Sequence, residues 1–102
     1  MHAILISVRL SAALDALTGV VAEHTDALQA VPGLVMATWL RDGETLAGFH
    51  LFATRETADE YLAGGLAAQF AAYPACSDLV VRHFAVLAEL SHATGTPRPL
   101  GA

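Results

Sequence analysis

Lysine is missing altogether from the 102 residues, and the five arginines stand far apart, at positions 9, 41, 55, 82 and 98. Ten acidic residues leave a formal net charge of −5. A surface that follows nucleic-acid phosphates needs clustered cations, so no nucleic-acid partner is expected. Cysteine occurs once, at Cys76, which excludes a disulfide within the chain. The opening Met-His-Ala-Ile-Leu-Ile has no basic segment ahead of its apolar run, and no apolar stretch approaches the roughly 18 residues of a membrane span. A reduced, cytoplasmic protein without membrane association is expected. Charge of either sign is scarce: 15% of residues carry it, against about 25% in ordinary soluble domains. Little surface is therefore designed for water.

What is present instead is apolar side chain, 55% of the chain, arranged in strand and helix periods. Ile4, Ile6, Val8 and Leu10 alternate with Ala3, Leu5, Ser7 and Arg9, the pattern of a strand buried largely on both faces and so placed centrally. Ser11 is a candidate N-cap, and Leu14, Leu17, Val21, His24, Leu28 and Val31 follow as the inner stripe of a helix that Pro32-Gly33 stops. Leu34 to Arg41 and Glu44 to Ala53 flank Asp42-Gly43, a strong hairpin signal. Thr54 can cap a second helix whose inner side carries Ala58, Tyr61, Leu62, Leu66, Phe70 and Tyr73. Gly64-Gly65 should bend that helix, each glycine costing about 1 kcal/mol relative to alanine. Pro74 ends it, and Ser77 to Leu90 reads as a long last strand.

Right-handed crossovers applied to this βαββαβ order give an α+β, ferredoxin-like sandwich: a four-stranded antiparallel sheet, first strand central, with two helices on one face. One domain is expected over residues 1–91, followed by a C-terminal tail at 92–102. The hairpin segments are apolar at odd and even positions alike. A sheet with helices on one side normally offers polar residues to water on the other. Another copy of the chain is the expected cover, making a homodimer.

With Arg41 paired to Glu44, Trp39 faces Leu46, Ala37 faces Gly48 and Val35 faces His50. Trp39 and His50 then share a face about 13 Å apart, with Gly48 in the hollow between them. An aromatic wall at one end and a titratable ring at the other suit an apolar ligand. A histidine on an apolar strand also serves as hydrogen-bonded core, and a tryptophan as simple packing. His83 on the last strand carries the same two readings, and His24, near the end of its helix, can satisfy itself in water. No histidine pair has helical i, i+4 spacing and Cys76 has no ligand neighbour in sequence, so no metal site is expected. No Gly-x-Gly-x-x-Gly, P-loop or Gly-x-Ser-x-Gly is present, which removes nucleotide cofactors and serine hydrolysis from consideration.

Pro32-Gly33-Leu34, Trp39, Gly48-Phe49-His50-Leu51-Phe52-Ala53-Thr54, and a helix with Ala58 and Tyr61-Leu62 resemble the small monooxygenases of the dimeric α+β barrel superfamily. The likeness is to the YdhR-like group, beside the antibiotic-biosynthesis monooxygenases, and covers residue 2 to about residue 90. The resemblance implies a homodimer with its two sheets face to face. It also implies a pocket between sheet and helices for an aromatic or polyketide-like compound, oxygenated without metal or flavin. A base removes a proton and the resulting anion itself reduces oxygen, so histidine is the suitable group. On that reading His50 is the base, Trp39 the stacking wall beside Gly48, and Tyr61, Tyr73, Ser7 and His83 the orienting groups. The chain has no asparagine, whereas the anthrone oxygenases and haem-degrading members use one in the pocket. Ala67 stands where the fold's polyketide cyclases carry a histidine after a tyrosine matching Tyr61. A non-catalytic binding or interaction dimer, and a cyclase or isomerase on the same scaffold, remain as alternatives.

Overall fold

The computed structural model describes residues 1–11, 18–87 and 91–96. Strand β1 (His2–Leu10) leads to helix α1 (Thr18–Leu28), strands β2 (Leu34–Asp42) and β3 (Thr45–Phe52), helices α2 (Arg55–Ala63) and α3 (Gly65–Ala71), and strand β4 (Cys76–Ala85). The sheet runs β2-β3-β1-β4, and every pairing is antiparallel. Helices cover one face, so the α+β ferredoxin-like arrangement with β1 inside the sheet is as expected.

The alternation in β1 divides its side chains between the two faces. Ile4, Val8 and Leu10 are buried on the helix side. There Ile4 packs with Leu28 of α1, Phe52 of β3 and Ala58 and Tyr61 of α2, while Val8 and Leu10 pack with Leu46. Trp39 touches both groups and joins them.

Local signals explain where elements begin and end. Thr54 caps α2, accepting from the Thr57 amide at 3.2 Å while Thr57 Oγ1 accepts from the Thr54 amide at 3.4 Å. Gly64 leaves helical conformation (φ −83, ψ 167), closes α2 and opens α3, which is the expected bend. Helix α1 ends at Leu28, before Val31. Its chain then tightens through i→i+3 bonds from Ala30 to Ala27 and from Val31 to Leu28. Gly33 follows with φ +77, and an added Cβ there would lie 2.6 Å from Thr57. Leu14 and Leu17 lie outside the described residues, as do the amides Ser11 was expected to cap. The Ser11 hydroxyl itself donates to the Ala75 carbonyl at 3.3 Å.

The hairpin differs from expectation. Asp42 pairs with Thr45 and Trp39 with Gly48, so Gly43-Glu44 forms the turn and the register moves by two residues. Gly43 has φ +57, and Asp78 is the sole positive-φ non-glycine among the described residues. That is the type II′ pattern, with its glycine first. The alternative would force Asp42 into the left-handed region. It would also move Glu44, whose carboxylate accepts from Arg9 Nε and Nη2 at 3.2 and 3.1 Å and whose carbonyl accepts from the Leu10 amide at 2.7 Å. A shift of two leaves the side chains from Met36 to Asp42 on their expected faces, while a bulge between Leu34 and Met36 puts Leu34 opposite Phe52, in the core under the helices.

Strand β4 stops at Ala85, short of the Leu90 expected, and residues 88–90 are not described. It bulges opposite Ser7 to Arg9, where Asp78 has φ +53. Residues Ser91 to Thr96 form a short turn that roofs part of the sheet's outer face. Between them lies a cavity of about 600 Å³ that Ala3, Phe49, Leu51 and Thr94 help to line. Beyond this roof, Leu40, Val80 and Phe84 are 45 to 48% exposed.

Candidate functional site

Six aromatic rings form one connected group between the sheet and the helices. His50 comes from β3, is only 2% exposed, and stacks on Phe52 with 6.5 Å between centroids. Tyr61 of α2 lies 5.4 Å from His50 and 5.6 Å from Phe52. His24 of α1 meets Trp39 edge-on at 5.9 Å and Phe70 of α3 at 4.8 Å.

Most polar atoms in this group have a defined partner. Trp39 Nε1 donates to Thr25 Oγ1 at 2.9 Å, and Thr25 passes its own hydrogen to the Val21 carbonyl at 2.7 Å. His24 Nε2 and Tyr61 Oη share a buried hydrogen bond of 3.1 Å. His50 Nδ1 lies 3.0 Å from the Gly48 carbonyl. A carbonyl only accepts, so Nδ1 carries the hydrogen and the neutral ring's lone pair is on Nε2. That nitrogen is buried and, among the described residues, unpartnered.

Gly48 makes this orientation possible. A Cβ built there would sit 2.7 Å from His50 Cε1 and 3.5 Å from both ring nitrogens. A side chain at position 48 would therefore displace the imidazole.

Burial governs the titration of all three groups. The His50 pKa is lowered, chiefly by lost hydration; the Gly48 carbonyl opposes this and His24 adds to it. His24 is lowered by burial, and the Tyr61 hydroxyl is pushed up to about 12 for the same reason. At neutral pH the site therefore holds two uncharged imidazoles and an un-ionised phenol.

Two concavities flank the group. One of about 390 Å³ is bounded by Thr25, Leu28, Leu34, Ala37 and Trp39. Another of about 330 Å³ is bounded by Glu23, His24, Leu66, Phe70 and Tyr73.

The structure brings together Trp39, Gly48, His50 and Tyr61. The register shift moves Trp39 opposite Gly48 and leaves His50 two positions along the sheet, about 7 Å by strand rise. The hollow expected between them is absent, because the His50 imidazole lies over Gly48. Tyr73 lies at the far end, beside Val8, Leu10 and Leu46 and on the rim of the His24 concavity. Ser7 pairs with Ala47 and Val80, which puts it on the outer face, away from this group. His83 is also elsewhere, bonded through Nδ1 to His2 Nε2 at 2.9 Å. His24, which the sequence left able to satisfy itself in water, is 7% exposed and lies within the group. Its place in the Val21, His24, Leu28 stripe was the signal for this. Among the described residues no three His, Cys, Asp or Glu side chains are gathered closely enough to hold a metal ion.

Residues 5–97 match the family described as "putative mono-oxygenase ydhR". The chain belongs to the YdhR mono-oxygenase family. Among solved structures this YdhR-family chain is similar to SnoaB, a cofactor-independent oxygenase from Streptomyces nogalater (TM-score 0.69, 18% identity, 83% of this chain and 91% of that one). It is also similar to the heme-degrader MhuD from Mycobacterium tuberculosis (TM-score 0.69, 18% identity, 85% and 96%). A third likeness is to NE2512 from Nitrosomonas europaea (TM-score 0.68, 24% identity, 99% and 98%). At these identities the structural likenesses establish the fold. No curated protein matches the sequence.

Proposed function

We propose that this YdhR-family chain oxygenates a small, largely apolar aromatic or polyketide-like compound without metal or flavin, as a cytoplasmic homodimer. The observation that carries the reading is His50 Nε2: the lone pair of a ring 2% exposed and packed on Phe52 and Tyr61, without a partner among the described residues. An unpaired buried acceptor is costly unless something visits it. An acidic O–H or C–H of a bound aromatic satisfies it.

His50 takes that proton, and the substrate anion gives an electron to oxygen and recombines with it as a peroxide. Loss of water leaves a carbonyl. For a methylene carbon, one oxygen atom enters the product and the other departs in water with both methylene hydrogens. Trp39 and Phe70 supply stacking surface, Tyr61 a proton donor, and the closed aromatic packing a dry medium. The outer face, with Leu40, Val80 and Phe84 exposed, is the surface for the second copy.

Oxygen uptake by metal-stripped protein with a panel of phenols and anthrones tests this. Uptake with stoichiometric product supports it, and bound but unchanged compound refutes it. One observation favours a rival, a non-catalytic dimer that binds an apolar metabolite: neither concavity beside the aromatic group has His50 in its wall. Product without oxygen uptake would instead indicate cyclase or isomerase chemistry.

A further inference from the structure

Among the described residues no lysine or arginine is placed at His50 Nε2. Among the described residues Arg9 is held by Glu44 at the hairpin turn, and Arg41 Nε donates to the Gly43 carbonyl. Arg55 pairs with Asp59 on the surface of α2. Arg82 is paired with Leu5, on the outer face. Arg98 lies outside the described residues, and the chain has no lysine. The charged side chains that border the concavities beside the aromatic group are acidic. Glu23 edges the concavity of His24 and Phe70, and Glu60 a smaller one of about 180 Å³ beside Tyr61 and Leu66.

Resting on the site reading above, we infer that this site selects an uncharged aromatic ligand offering one acidic O–H or C–H to His50 Nε2, and rejects ligands that already carry a carboxylate. The two cases differ in what burial leaves unpaired. A neutral donor gives Nε2 its missing bond and brings no charge into the apolar interior. A carboxylate would arrive without a counter-ion among the described residues: Glu23 and Glu60 border two of the concavities beside the aromatic group, and the third, beside Trp39, has no charged side chain in its wall. Burial of an unpaired anion is strongly unfavourable. Charge arises only after binding and only as a pair. The ligand's O–H or C–H bond breaks, its electrons stay on the ligand, and the proton passes to Nε2, so anion and imidazolium form side by side.

The test uses the full chain with 1-naphthol, naphthalene and naphthalene-1-carboxylate, with affinities from calorimetry. Trp39 is the only tryptophan and lies within the aromatic group, so its single indole N–H resonance reports binding there. The expected result is naphthol binding at least tenfold more tightly than the carboxylate. In His50→Phe, naphthol should fall to the affinity of naphthalene. Equal or tighter binding of the carboxylate by the unmodified chain overturns the charge selection while leaving the site in place. If none of the three compounds moves the Trp39 resonance, the site reading itself falls and the selection with it.

Discussion

His50 turns its imidazole back over Gly48, two residues earlier on the same strand, with Nδ1 3.0 Å from the Gly48 carbonyl. The ring occupies the space that a Cβ at position 48 would need. This one relationship sets which nitrogen is protonated, and so which one is free to act as a base.

Gly48→Ala should therefore disturb the site without dismantling the sheet. The added methyl is expected to cost about 1 to 3 kcal/mol through overpacking and to swing the ring off the Gly48 carbonyl. Side-chain ¹⁵N NMR should show the Nδ1–H tautomer of His50 in the parent chain and a mixture in the variant. The same tautomer in both would mean that Gly48 does not position the ring.

His50→Ala removes the proposed base and should abolish oxygen uptake while the proposed dimer, followed by analytical ultracentrifugation, is unchanged. The cavity it leaves should cost about 2 to 4 kcal/mol, by analogy with other large-to-small core changes. Turnover at the parental rate in this variant would take His50 out of the mechanism.

Stability should fall on acidification below pH 6.5. His24 and His50 have folded-state pKa values lowered by burial, whereas in the unfolded chain each titrates near 6.5. Above that pH both states are neutral and no penalty applies. Below it the unfolded chain takes up protons that the folded chain refuses, so unfolding is favoured by up to about 1.4 kcal/mol per pH unit for each such group. Urea midpoints measured from pH 7.5 to 5.0 should decline, and the decline should be shallower in His50→Gln. A midpoint independent of pH in this range would contradict the buried, neutral assignment.

The outer sheet face gives a separate prediction. Phe84 is 47% exposed there, so Phe84→Arg should leave the fold intact by circular dichroism and convert the proposed dimer to monomer in sedimentation. A dimer that survives this change, together with Val80→Arg, would place the interface elsewhere.

Much of the fold was legible because its periods are local. The alternation from Ala3 to Leu10, the Thr54 cap and the Gly64 break each depend on neighbours a few residues away, and each appears as read. The hairpin register was less legible. Asp42-Gly43 is an attractive turn in isolation, but the Arg9 and Leu10 bonds to Glu44 come from a strand distant in sequence. His24 was misjudged for a related reason: its helix stripe was visible, but the Tyr61 hydroxyl and Phe70 ring that enclose it lie on other helices.

The sequence by itself determined which residues share a face, because side chains alternate along a strand and a slip of two residues preserves that alternation. It therefore placed Trp39, Gly48 and His50 on one side, whereas Ser7, expected as an orienting group of the same site, lies on the other. Only the tertiary structure decided that this side lies beneath the helices, that Tyr61, His24 and Phe70 join the same aromatic group, and that His50 Nε2 is left without a partner among the described residues. Those outcomes depend on contacts between elements far apart in the chain, whose geometry no local pattern encodes.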